Sequence, residues 1–230
     1  MTELIVGDPS EGVGKDGTRG ELRVYKSGDH VLTFTGNSLG EMSVNETAGA
    51  VPYCECTLKG EQGVPFGVIA VDDEVELWVF HKGLDAHRLI RARIDFVELN
   101  RESTESGIVL LIQGRTAVSS LMDRPLRGEY EGPLCEYFTN TAARFGVVSS
   151  SRDVSDRPVR IWTDAQSAYG ALRVIGASTA VLVEAERGGT LAFSPLSVAR
   201  ERAARAPVMQ LDASQILSMH YKQGVRLRDV

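Results

Sequence analysis

The stretch that decides the fold is residues 107–123, which read Gly-Ile-Val-Leu-Leu-Ile-Gln-Gly-Arg-Thr-Ala-Val-Ser-Ser-Leu-Met-Asp. Five consecutive aliphatic residues, 108–112, predict a strand that is buried on both faces. Gly114 predicts a turn, and Thr116 is placed to be the N-cap of a short amphipathic helix. The apolar side of that helix is predicted to hold Val118, Leu121 and Met122.

A second helix is predicted after a short polar spacer. Pro133 suits the first helical position because its missing N–H is not needed there. Gly146 is a typical residue to end the helix. The apolar residues between them recur at helical spacing and are Leu134, Phe138, Ala142 and Phe145.

Length and composition limit the classes of protein that the chain can belong to. It has 230 residues, 43% hydrophobic and 24% charged, which fits one or two globular domains. No apolar run approaches the roughly 18 residues of a membrane span, and the N-terminus lacks the pattern of a signal peptide. The 31 acidic and 25 basic residues give a formal charge of −6. That charge disfavours an electrostatic nucleic-acid clamp, although Arg200, Arg202 and Arg205 could form a local basic patch.

The first half of the chain predicts about six strands. The turn at residues 27–29 joins two of them in a hairpin. A sheet that folds onto itself, as a sandwich or partial barrel, is the economical arrangement of so many short strands. Besides residues 107–113, the predicted strands are Glu21–Tyr25, His30–Thr35, Tyr53–Lys59, Glu74–Phe80 and Leu89–Leu99.

One of these strands has an unusual outer face. Val75, Leu77 and Val79 alternate and predict the side that faces the core. The opposite side carries Trp78 and Phe80 together with two glutamates. We therefore expect this side to contact a partner rather than water.

The second half mixes helices and strands. Asp164 is a candidate N-cap for a helix that ends at Gly176, and residues 187–189 predict the turn of a hairpin. Residues 198–206 are either a polar helix or a connecting arm. The remaining predicted strands are Val159–Trp162, Ala180–Ala185, Thr190–Ser194 and Ile216–Tyr221.

These patterns predict an α+β fold that is mainly β. The expected domains are a tube-like β domain at residues 1–114, an α+β module at 115–200, and a connecting arm with the start of a second tube-like segment at 201–230. The Gly114-Arg115-Thr116 turn is then a domain boundary rather than a site.

No grouping of residues predicts a catalytic, cofactor or metal site. Cys54 and Cys56 would point to the same face of a strand, and without a second pair they read as reduced, apolar side chains rather than zinc ligands. The acidic residues 72–74 read as a solvated turn rather than a cation site. The four histidines fit no ligand spacing and are His30, His81, His87 and His220.

Several short phrases, taken in order, resemble one known family. The phrases up to residue 123 are Asp73–Val79, Ala92–Asp95, Ile112–Thr116 and Leu121–Asp123. Those that follow are Leu134–Val147, Ala165–Leu172, Gly188–Phe193 and Asp212–Ser218. Their order and spacing over roughly residues 70 to 225 resemble the hub proteins of contractile phage tails, the family of phage late control protein D and the phage Mu hub.

The resemblance implies a structural, non-enzymatic protein without cofactor. Hubs of this family are homotrimers in which two tube-like β domains per subunit form a pseudo-sixfold ring. One face of the ring receives the tail tube protein and the other the central spike protein, in the tail baseplate of a virion assembled in the host cytoplasm. Membrane and sequence-specific nucleic-acid partners are not implied.

The sequence departs from this family in one respect. It ends soon after the second tube-like domain would begin. We therefore expect a second hub polypeptide to complete the ring; different symmetry or an unusually short hub are the alternatives. Other functions left open are another non-enzymatic tail or baseplate component, a tail-associated cell-wall hydrolase, and a free-standing β-rich binding domain.

Overall fold

The computed structural model describes residues 4–8, 18–47, 49–60, 66–81, 85–101 and 108–205. The fold is α+β and mainly β, as predicted. Its strands are β1 (Leu4–Val6), β2 (Arg19–Lys26), β3 (Asp29–Thr35), β4 (Leu39–Asn45), β5 (Tyr53–Gly60), β6 (Glu74–Phe80), β7 (His87–Arg101), β8 (Ile108–Arg115), β9 (Leu126–Pro133), β10 (Ser149–Ser151), β11 (Pro158–Ala165), β12 (Val181–Ala185) and β13 (Leu191–Pro195). Its α-helices are α1 (Ser119–Met122), α2 (Leu134–Arg144), α3 (Ala168–Thr179) and α4 (Leu196–Arg205).

The first eight strands form one sheet in the order β1-β3-β2-β6-β7-β8-β5-β4. All neighbours are antiparallel except β1 and β3. The sheet curls so that its last strand, β4, approaches β2: a Cβ added to Gly20 on β2 would lie 2.2 Å from Cε of Met42 on β4. The result is the partial barrel that the strand pattern favours.

The inward side chains of this sheet form one hydrophobic core. It includes both Cys54 and Cys56, each 1% exposed. Burial raises the pKa of the Cys54 thiol to about 12 and also raises that of Cys56, so both thiols stay protonated and poorly suited to bind a metal. The other buried members are Leu22, Val24, Leu32, Phe34, Leu58, Ile69, Val75, Leu77, Ile90, Ala92, Ile94, Leu110 and Ile112.

Strand β8 corrects two predictions. Its burial alternates, with Leu110 and Ile112 buried and Val109 and Leu111 half-exposed, so it is not buried on both faces. Gly114 lies within the strand rather than at a turn. A Cβ at Gly114 would lie 2.7 Å from the Arg93 carbonyl oxygen. The backbone of β7 approaches β8 so closely here that only glycine fits.

The remaining described elements build a second core. Strands β9 and β11 form an antiparallel ribbon, while β10, β13 and β12 form a small sheet. The hairpin of β12 and β13 and the existence of helix α2 agree with the predictions, but Pro133 is the N-cap of α2 rather than its first helical residue. The buried members of this core are Val51, Val118, Leu121, Leu126, Leu134, Tyr137, Phe138, Ala142, Val147, Val154, Ala168, Tyr169, Ala171, Leu172, Val181, Val183, Ala185, Leu191 and Phe193.

Two segments between residues 115 and 135 differ from the predictions. The spacer before Pro133 is not a loop but the strand β9. Thr116 is not the N-cap of α1: Val118 holds that position, and Thr116 is buried with its carbonyl accepting from the Ser119 N–H. Met122 is 40% exposed and therefore does not share the apolar face of the helix.

Helix α3 begins and ends later than predicted. Ser167, not Asp164, is its N-cap, and the Ser167 Oγ accepts a hydrogen bond from the Gly170 N–H. The helix continues through Gly176. A Cβ at this position would lie 2.6 Å from the Val181 carbonyl oxygen, so the glycine is explained by close packing against β12 rather than by a helix end. Ala180, in the left-handed region at φ 57°, ends it.

The sequence predicts either a polar helix or a connecting arm at residues 198–206. The structure has a helix there, α4, which extends as far as Arg205. The predicted strand Ile216–Tyr221 and His220 lie outside the described residues. No helix in the described part of the chain is long and apolar enough to cross a membrane.

Candidate interaction surface

The outward face of β2, β6 and β7 carries the most organised set of polar and aromatic side chains in the described structure. Sheet order creates it, because β6 lies between β2 and β7. We call this set the arginine–aromatic surface. It consists of Arg19, Glu21, Arg23, Tyr25, Glu74, Glu76, Trp78, Phe80, Arg88 and Arg91.

Glu76 lies at the centre of this surface and is almost completely covered, with a side chain 7% exposed. Its carboxylate accepts hydrogen bonds from Tyr25 Oη at 2.9 Å, Trp78 Nε1 at 2.9 Å and an Arg88 guanidinium nitrogen at 2.7 Å. Burial alone would raise the pKa of Glu76, but the bonds from Trp78, Arg88 and Tyr25 outweigh it and lower the pKa. The carboxylate is therefore kept ionised, and its oxygens are occupied by hydrogen bonds from neighbouring side chains.

Arginines cover the aromatic rings beside it. The Arg19 Cζ lies 4.6 Å from the centroid of the Phe80 ring, and the Arg23 Cζ lies 4.6 Å from that of Trp78. Arg23 also donates to Glu21 Oε2 at 3.0 Å, and the Glu21 side chain is only 11% exposed. These contacts hold each guanidinium over an aromatic ring. The arginine side chains are therefore restrained in position rather than extended into solvent.

The composition of this surface favours a protein partner. Its four arginines and three glutamates nearly balance, and the next outward arginine of β7, Arg93, pairs with Asp72 at 3.3 Å. The net positive charge is therefore too small to attract nucleic acid strongly. Arginine, tryptophan and tyrosine are the residues most enriched at the energetic centres of protein interfaces. The sequence correctly placed Trp78, Phe80, Glu74 and Glu76 on one outward face, but it gave no sign of their partners from β2 and β7.

The outward surface continues onto β8 and β5 with a different character. Phe96 of β7, which lies opposite Gln113 of β8, is 44% exposed, and Val109 and Leu111 of β8 are half-exposed. Gln113 donates to Glu55 Oε2 at 2.9 Å on the same face. This part of the sheet therefore offers apolar contact area next to the arginine–aromatic surface.

Arg115 joins the sheet to the helical part of the chain. It donates to both oxygens of Asp95, at 2.7 and 3.1 Å, and to both oxygens of Asp123, at 3.2 and 2.9 Å. These bonds raise the pKa of the guanidinium, which stays charged throughout. Residues 114–116 were predicted to be a domain boundary rather than a site, and Arg115 forms a double ion pair across the junction.

We expect Arg115→Ala to lower the free energy of unfolding by about 1.5 kcal/mol, since two partly exposed carboxylates lose a shared, bidentate partner. The measurement is urea denaturation followed by circular dichroism. Arg127→Ala is the control, because Arg127 pairs with Asp164 at 2.9 Å but is 76% exposed. Equal effects of the two substitutions would contradict a special role for Arg115.

The segment between β4 and β5 makes further contacts across the same junction. Glu46 forms an ion pair with Arg187, and the Gly49 carbonyl accepts from Arg173 at 2.7 Å. The Pro52 carbonyl accepts from the Thr116 N–H at 3.1 Å. Val51, 6% exposed, packs in the core of the helical part.

The remaining candidate residues of the sequence form no site in the described structure. Asp73 accepts from the Ala70 N–H at 2.9 Å and pairs with Lys26 at 3.2 Å, with its side chain only 14% exposed. The predicted solvated turn is therefore correct only in part: Asp72 lies in a turn, whereas Glu74 begins β6, which is paired on both edges. No cluster of three or more possible metal ligands occurs among the described residues. His30 stacks on Tyr25 with ring centroids 5.0 Å apart, while His81 and His87 are exposed.

The basic patch suggested by Arg200, Arg202 and Arg205 falls on α4. The side chains of Arg202 and Arg205 lie outside the described part of the structure, so the patch stays a prediction.

Both ends of the large sheet have an unpaired strand edge within the described residues. β1 pairs only with β3, and β4 only with β5. Leu4 and Ile5 on β1 are 49% and 58% exposed. An exposed apolar edge is able to pair with a strand of another chain.

Comparison with known proteins shows a shared fold. No family model and no curated protein match the chain. The structure is similar to the 43 kDa tail protein of prophage MuSo2 from Shewanella oneidensis, with a TM-score of 0.58 and 16% identity over 76% of this chain and 53% of that one. It is also similar to a tail protein from Neisseria meningitidis MC58, with a TM-score of 0.57 and 13% identity over 76% and 50%.

A third similar structure belongs to a PdpA–VgrG complex, with a TM-score of 0.54 and 9% identity over 80% of this chain and 37% of that one. The chain thus spans about half the length of the two tail proteins. At these identities the likeness is one of fold alone, and it extends over about three quarters of this chain.

Proposed function

We propose that this chain is a structural, non-enzymatic component of a phage tail or related contractile injection system. In this proposal it forms a trimeric baseplate hub ring that joins the tail tube to the central spike. The observation that supports the proposal is the fold shared with the tail protein of prophage MuSo2 and with a second tail protein. The fold shared with a chain of a PdpA–VgrG complex supports a place next to a spike-like partner.

The domain assignment is part of the proposal. Residues 1–114 would be the tube-like domain, 115–200 the α+β module, and 201–230 the arm that leads into a further segment. The two separate hydrophobic cores support this division, with Val51 as the residue that the first half contributes to the second core.

The surfaces described above have natural roles in such a ring. The open edges of β1 and β4 would pair with neighbouring subunits, either copies of this chain or the second hub polypeptide that completes the ring. A closed ring would leave neither edge exposed. The arginine–aromatic surface would receive the tube or spike protein, because it is rigid and has its polar groups already satisfied.

The test is reconstitution from purified components. The chain is mixed with tail tube and spike proteins from the same genome, and light scattering after size-exclusion chromatography gives the mass of each complex. We expect a trimer that binds both partners, and ring-shaped particles by electron microscopy. A chain that remains monomeric and binds neither protein would reject the proposal.

Two variants separate the surfaces. Ile5→Lys places a charge on the exposed β1 edge and should abolish ring formation, whereas Val148→Lys alters an equally accessible residue, 71% exposed, and should not. Lysis of cell-wall material in a zymogram would instead favour the hydrolase alternative.

A further inference from the structure

The ribbon of β9 and β11 exposes a tryptophan that nothing in the described structure covers. Trp162 is 70% exposed, and its neighbours on the same face of β11 are Arg160 and Asp164, with side chains 77% and 55% exposed. Burial alternates along the whole strand, so these three side chains point outward together. A large aromatic residue in this position marks an interaction surface.

An apolar groove adjoins this tryptophan. It has a volume of about 390 Å³ and lies between β11 and α3. Val174 in the wall of the groove is 71% exposed. Gly170 and Ala171 have small side chains, so the helix side of the groove leaves space unfilled. The groove offers space for a second aromatic side chain beside Trp162.

The edge of β11 that faces away from β9 is also free. Within the described residues the ribbon has two strands only, so β11 has one hydrogen-bonding edge without a strand partner. A free edge next to an exposed tryptophan suits the addition of a further strand.

The order of charges on β11 indicates which strand would pair with its free edge. Arg160 and Asp164 lie two residues before and two residues after Trp162. In an antiparallel pair of identical strands centred on residue 162, each Arg160 lies opposite the partner copy's residue 164 and the two tryptophans lie opposite each other. The strand is therefore complementary in charge to itself.

We propose that β11 is a self-association surface, on which a second copy of this chain pairs its own β11 about a twofold axis through Trp162. The two ribbons then form one four-stranded sheet, with two arginine–aspartate pairs beside a central pair of tryptophans. This contact uses no residue of the β1 and β4 edges, so it goes beyond the proposed ring and can fail independently of it.

The existing ion pairs of the ribbon leave Arg160 available. Its distance to Glu129 on β9 is 3.8 Å, near the limit of an ion pair, whereas Asp164 lies 2.9 Å from Arg127. Arg160 can therefore turn towards a second copy at little cost, and Asp164 can accept from two arginines at once.

The contact is small, so the association is weak. One strand edge and one aromatic pair bury less than the roughly 1,200 Å² of a stable interface. We expect a dissociation constant on the order of 100 µM, which sedimentation equilibrium detects between about 5 µM and about 500 µM. The measurement is repeated in the Ile5→Lys background, where ring association is removed.

Charge reversal tests the alignment. Arg160→Asp and Asp164→Arg each place two like-charge pairs across the axis, and each should raise the dissociation constant at least about tenfold. The double variant restores opposite charges and should return to within about threefold of the wild type. Trp162→Ala should weaken the dimer by at least about tenfold.

The control is Arg152→Asp, which makes the same charge change at an exposed residue away from the ribbon. It should leave the dimer unchanged, and circular dichroism should show that every variant is folded. A chain that is monomeric at all concentrations, single reversals that dimerise like the wild type, or a double variant as weak as the single ones would each overturn the proposal.

Discussion

Phe138→Ala should lower the free energy of unfolding of the helical part by about 4 kcal/mol, the usual cost of truncating a buried phenylalanine. Phe138 is fully buried on α2, and its ring lies 4.8 Å from that of Phe193 and 5.9 Å from that of Tyr137. The substitution leaves a cavity between the helix and the small sheet, because α2 cannot move inward past these rings.

Hydrogen exchange locates the effect. Amides of β12 and β13 should exchange much faster in the variant, while those of β6 and β7, which belong to the other core, should change less. Val174→Ala is the matched control, since a side chain 71% exposed should cost under about 0.5 kcal/mol. Equal loss of protection in both cores would mean that they unfold as one unit.

Glu76→Ala should lower the free energy of unfolding by about 2.5 kcal/mol, because three donors lose their common acceptor in a covered position. Denaturation in urea measures the loss, and the tube- and spike-binding assay measures whether the arginine–aromatic surface keeps its shape.

The effect of Glu76→Ala should depend on pH. The pKa of Glu76 is lower in the folded than in the unfolded chain, so its contribution is complete above the unfolded pKa and disappears as the pH falls through the folded pKa. The stabilities of wild type and variant should therefore converge in acid. Glu129→Ala is the control and should change the free energy of unfolding little, because this glutamate is 68% exposed. A constant difference between wild type and Glu76→Ala down to acid pH would contradict the role of the ionised carboxylate.

The sequence predicted strands where one face is buried and the other is not. Alternation of apolar residues revealed β6 and β7 because the sheet covers only their inner side. Strand β9 was missed, because its residues 127–132 are glycines, charged residues and one tyrosine, and only the ribbon partner β11 makes it a strand. Here tertiary pairing overrides local preference.

Helix ends were predicted less well than helices. Gly176 resembles a stop signal, yet it lies inside α3, where close packing against β12 requires the absence of a side chain. The candidate interaction surface shows the same limit. Trp78 and Glu76 were correctly placed on one face, but their bonds to β2 and β7 depend on which strands become neighbours, and a strand pattern contains no information on that.

The contacts of Glu46, Gly49, Val51 and Pro52 have a mechanical consequence. One short connection between β4 and β5 is attached to the helical part by an ion pair, two hydrogen bonds and a buried side chain. A force that pulls the two parts of the chain apart must load these attachments together rather than one after another. A protein that has to transmit the thrust of a contracting machine would gain from such a coupling, because the joint would stay stiff under load.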